Sequence, residues 1–133
     1  MVDLINESSE TYDQAVWVTR MAEHAASEGA DWVIHADADE FWIAREKGKT
    51  LRDVIETLPV HQSVQIVQRW NAALHRRHDH LDWIDPVGVR WFDTASQNNL
   101  GQLLPPKVLH RGCSGVAIDQ GNHSLKWPNP DVR

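Results

Sequence analysis

The sequence predicts an α/β domain with a mixed sheet flanked by helices, and three observations point that way. Helix-like and strand-like segments alternate early in the chain. Short strand-like runs separated by glycines dominate later. The 133 residues suffice for one hydrophobic core but not for two, so positions 1–133 read as a single domain.

Hydrophobic residues make up 41% and charged residues 24%, the composition of a globular chain rather than a disordered one. Nineteen acidic residues against thirteen basic ones give a formal charge of −6. That balance argues against nonspecific nucleic-acid binding, which needs clustered Lys and Arg to neutralise phosphates. No apolar run approaches the roughly 18 residues of a membrane span. The opening MVDLINESSE lacks the basic and apolar regions of a secretory signal. The single cysteine, Cys113, excludes an intrachain disulfide and suits a reducing compartment, so the expected location is cytoplasmic.

Ser8 to Glu28 reads as a helix, with Ser8, Ser9 and Thr11 as capping candidates and Glu7 and Glu10 near its positive end. Tyr12, Ala15, Val16, Thr19, Ala22, Ala25 and Ala26 recur at helical spacing, and Gly29 is a natural stop. Trp32-Val33-Ile34 is a short apolar run after a helix, which reads as a buried parallel strand. Thr50 opens a second, short helix with Asp53 at its third position, and Pro59 closes it. Strands are expected over 63–70, 87–92, 107–111 and 116–119, with Gly112, Gly115 and Gly121 marking turns.

Chemistry concentrates in His35-Ala36-Asp37-Ala38-Asp39-Glu40. A strand ending in Asp-x-Asp directs both carboxylates to one side, and the carboxyl end of a strand in an α/β sheet is where ligands bind. Adjacent carboxylates repel unless they share a cation. Hard oxygen donors favour Mg²⁺ or Mn²⁺ bridged to a diphosphate. The bare triplet fits a solvated acidic turn as well.

In context the segment resembles family 2-type glycosyltransferases of the GT-A fold. The resemblance rests on Gly29-Ala30-Asp31-Trp32, the apolar run, and His35-Ala36-Asp37-Ala38-Asp39-Glu40-Phe41-Trp42. It is clearest from Tyr12 to Trp42 and continues weakly through Lys107 to Arg111 and Gly121-Asn122-His123. It implies a partial GT-A-like (nucleotide-diphospho-sugar transferase) domain that moves a sugar from a nucleotide-sugar donor to a carbohydrate or other hydroxyl acceptor. It further implies that Asp39 ligates Mn²⁺ or Mg²⁺, that Asp37 touches the metal or the donor ribose, and that His123 is a third ligand, though His123 fits a locally hydrogen-bonded turn histidine equally well. Lys107 would offset diphosphate charge, although on the residues alone it reads as an ordinary surface lysine. An inverting transfer needs a carboxylate base, for which Asp119 and Asp85 are the candidates. Asp85 precedes Pro86, where a turn-capping carboxylate is the first reading.

A GT-A domain carries base-holding strands and helices before its Asp-x-Asp, and here little precedes it. The chain is therefore expected to be a C-terminal portion or fragment, with an exposed sheet edge prone to self-association. Two alternatives stay open. One is a noncatalytic carbohydrate- or partner-binding remnant, and the other a metal-dependent phosphoesterase. His75, His78 and His80 with Asp79 match no structural zinc spacing and read as a solvated loop. Trp32 and Trp70 are core candidates. Trp42, Trp83, Trp91 and Trp127 could form a platform for the apolar face of a sugar, although any one of them taken singly reads first as core. Cys113 has no partner motif.

Overall fold

A computed structural model describes residues 4–8, 10–72 and 92–127. Its architecture is mixed α/β, with small antiparallel sheets and few helices. Helix α1 (Gln14–Ser27) starts later than the sequence suggested. Its cap is Asp13, whose carboxylate accepts from Val16 N at 3.3 Å, and it ends at Gly29, where φ is +82°. Its buried residues are Val18 and Ala22, with Ala25 packed beside them. Tyr12 and Val16, expected on the inner face, are exposed. The helix is rotated because it packs on Val33, Val116 and Ile118, and its Thr19 Oγ1 accepts from Ile118 N at 2.9 Å.

Strand β1 (Trp32–Ile34) leads into the acidic segment. Helix α2 (Leu51–Glu56) carries the expected capping box: Thr50 N donates to Asp53 Oδ2 at 2.7 Å, and Asp53 N donates to Thr50 Oγ1 at 3.2 Å. Strand β2 (Val64–Val67) follows, then a small pair made by β3 (Asn71–Ala72) and β4 (Phe92–Asp93). Strand β5 (Lys107–Arg111) is the central strand, buried over Lys107 to His110. The chain then forms a hairpin from β6 (Ala117–Ile118) and β7 (Leu125–Lys126), with a 3-10 turn at Gln120–Asn122 between them.

The main sheet has the order β1-β5-β2. Both of its ladders are antiparallel: Val33 pairs with His110, and Ile66 with Val108. This corrects the expected parallel strand and mixed sheet. An apolar trio fits either ladder type, and β1 alternates half-buried, buried, half-buried, as an antiparallel edge strand does. The core joins α1 to β1 and to the β6–β7 hairpin, and Trp127 packs against it, as the core reading of a single tryptophan expects. Trp70, expected in the core, is exposed beside the Arg45 guanidinium at 5.9 Å. Trp32 is half-buried, with the Arg111 guanidinium 4.2 Å from its ring centre. Among the described residues no helix is long and apolar enough to cross a membrane.

Candidate functional site at the carboxyl end of the first strand

Strand β1 leads into the acidic turn, and Lys107 opens its antiparallel partner β5. The ammonium of Lys107 donates to Asp37 Oδ2 at 2.8 Å and to the Gly121 carbonyl at 2.9 Å, and lies 3.0 Å from Glu40 Oε1. Its side chain is 4% exposed. Glu40 Oε1 also accepts from Arg69 at 2.9 Å, and Glu40 Oε2 accepts from Asp37 N at 3.3 Å. The other oxygen of Asp37 accepts from Asn122 Nδ2 at 3.2 Å and from Gln14 Nε2 at 3.3 Å. Gln14 Oε1 in turn accepts from Gly121 N at 3.1 Å. The start of α1, the acidic turn, the start of β5 and the 3-10 turn are thus tied together around Asp37. Asn122 holds its place at φ 60° and is buried, and its Oδ1 has no hydrogen-bond partner among the described residues.

The two aspartates are not equivalent. Strand β1 ends at Ile34, and Glu40 N donates to Asp37 O at 3.0 Å, closing a turn. The period-two alternation that would align both carboxylates therefore stops short of them. Asp37 is engaged as described. Asp39 is exposed and has no ion-pair partner among the described residues.

His123 Nδ1 lies 2.9 Å from the Pro106 carbonyl. A carbonyl only accepts, so Nδ1 carries the proton and Nε2 presents a lone pair, the arrangement found in ligating histidines. Asp119 is exposed and accepts from Ser124 Oγ. Asp85, the histidines of 75–80, Trp83 and Trp91 lie outside the described residues.

Three His, Cys, Asp or Glu side chains do not gather as a metal cluster anywhere among the described residues. Mg²⁺ does not require such a cage, because it is usually held by one or two carboxylates together with substrate phosphates and water. The exposed carboxylate of Asp39 and the Nε2 lone pair of His123 fit that donor chemistry. Asp37 already spends its oxygens on Lys107, Asn122 and Gln14.

Sequence reasoning missed a buried histidine pair behind this site. His35 and His110 stack with ring centres 5.1 Å apart and Nε2 atoms 3.0 Å apart. His110 Nδ1 lies 2.7 Å from the Arg111 carbonyl, so it donates there, and His35 Nε2 donates to His110 Nε2. Burial, then His110, then Lys107 push the His35 pKa down to about 4. Burial also lowers that of His110. Two single histidines in apolar strands carry no spacing signal; only the cross-strand register brings them together. Gln14 was also missed, since it stands at a helix start with no motif around it. Burial pushes the Cys113 thiol up, away from the reactive thiolate form.

Comparison of the chain with family models, curated proteins and solved structures gives no match.

Proposed function

We propose that the chain is a glycosyltransferase domain, or a portion of one, that moves a sugar from a nucleotide-sugar donor to an acceptor hydroxyl with a divalent ion. One observation carries the reading. The Asp-x-Asp turn, the lysine opening β5 and the Gly-Asn-His turn converge on Asp37, although Lys107 and Asn122 lie 70 and 85 residues from it. Each segment drew attention separately in the sequence, and a solvated acidic turn has no need of the other two.

In this reading Asp39 and His123 would hold Mn²⁺ or Mg²⁺, which would supply positive charge to balance that of a departing diphosphate. Lys107 acts through the carboxylates it binds, fixing the turn that presents Asp39. Gln14 and Asn122 keep Asp37 from swinging toward solvent. Asp119, which is exposed, or Asp85 takes the acceptor proton, and direct displacement inverts the sugar's configuration.

The test is thermal melting with Mn²⁺, with a panel of nucleoside diphosphates, and with both. Stabilisation by the pair together, absent in Asp39→Asn, is the expected result. Stabilisation by neither sinks the donor-binding reading, and phosphate release from a generic ester would point to a phosphoesterase. A noncatalytic carbohydrate-binding reading has one observation of its own, the exposed Trp70 ring beside Arg45. It expects stabilisation by glycans alone.

A further inference from the structure

The oxygens around Lys107 have the make-up of a hard-cation cage. Two carboxylates and one backbone carbonyl, from the acidic turn and the 3-10 turn, surround one charged atom at 2.8 to 3.0 Å. Such spacing is that of an ammonium donor; divalent ions draw oxygens in to roughly 2.0–2.6 Å. The side chain enters from the central strand and is almost wholly buried, so solvent does not screen its charge. Beside the cage, the buried Asn122 donates to Asp37, and its oxygen has no partner among the described residues.

We propose that Lys107 is a tethered counter-cation: it fills this cage permanently, assembles the acidic turn without a metal ion, and closes Asp37 and Glu40 to free divalent cations. Lys107 is then a positioning residue. A covalently tethered ammonium has a high effective concentration at the cage, which an ion free in solution must overcome. Charge balance supports this. Asp37 and Glu40 are matched by Lys107 and Arg69, which among the described residues leaves the exposed Asp39 as the turn's one unmatched carboxylate. The inference stands on the geometry of the turn and does not depend on sugar transfer.

The experiment uses Mn²⁺ alone, with no nucleotide, titrated onto the full chain in an Asp39→Asn background and read by loss of the free-ion paramagnetic resonance signal. With Lys107 present, no Mn²⁺ uptake that depends on Asp37 is expected. With Lys107→Ala added, one Mn²⁺ should bind at least tenfold more tightly, and Asp37→Asn should abolish the gain. The proposal is overturned if the Lys107 form takes up Mn²⁺ in an Asp37-dependent way, or if removing Lys107 produces no new uptake. Should Lys107→Ala fail to fold without metal, circular dichroism decides. Recovery of the helical signal on adding Mn²⁺ supports the cage, and failure to recover refutes it.

Discussion

Acid should destabilise this protein through His35 well before its carboxylates are protonated in bulk. In the native state His35 titrates at about 4, against 6.5 for a free imidazole. The direction of the effect follows from proton counts. Above pH 6.5 both the folded and unfolded states hold the ring neutral. Between 6.5 and 4 the unfolded chain takes up a proton that the folded chain refuses, so stability falls with pH across that window and levels off below it. The full difference corresponds to about 3 kcal/mol, of which about 2 kcal/mol is lost by pH 5. His110, also lowered by burial, adds in the same direction. The groups facing His35 reinforce the effect, because Lys107 and His110 both disfavour a charge there. Urea unfolding followed by the fluorescence of the seven tryptophans at pH 7.5, 6.5, 5.5 and 5.0 measures it. His35→Gln supplies the comparison, since its side-chain amide can still donate to His110 but does not titrate. The wild type should lose stability faster than the variant over this range. Parallel pH profiles for the two proteins would refute the reasoning.

Two further changes test the frame that carries the site. A β-carbon at Gly112 would stand 1.8 Å from the Ala30 carbonyl oxygen, a backbone atom, so Gly112→Ala should cost at least about 2 kcal/mol of stability in urea unfolding. Asp13→Ala removes the α1 cap and should cost about 1 kcal/mol; since α1 begins with Gln14, which holds Asp37, the loss should be accompanied by weaker amide protection at Asp37 and Gly121 in hydrogen exchange.

Local chemistry was the legible part of this fold. Thr50 and Asp53 form the capping box that their spacing announces, and Gly29 ends α1 with a positive φ. These signals act within one turn of chain, where sequence distance and spatial distance agree. Partner choice was not legible. Nothing in Trp32-Val33-Ile34 says that its neighbour is β5 running the other way, and the buried face of α1 depended on where Val116 and Ile118 would sit. The same limit explains the site. Asp37, Lys107 and His123 could each be picked out singly, whereas Gln14, His35 and His110 acquire meaning only once β1, β5 and the 3-10 turn are brought side by side.

That limit bears on how an Asp-x-Asp triplet should be read. Spacing by two residues places carboxylates together only while the chain stays extended. Here the strand stops at Ile34, and the bond from Glu40 N to Asp37 O closes a turn that has the second aspartate at one of its central positions. One carboxylate is consequently drawn inward, where Lys107, Asn122 and Gln14 satisfy it, while Asp39 remains exposed. Glu40 returns to the cluster and sits beside Lys107. The pattern therefore separates into a structural pair, Asp37 with Glu40, and a single carboxylate open to solvent. Substitutions at the first pair should register chiefly in stability, and at Asp39 chiefly in ligand binding.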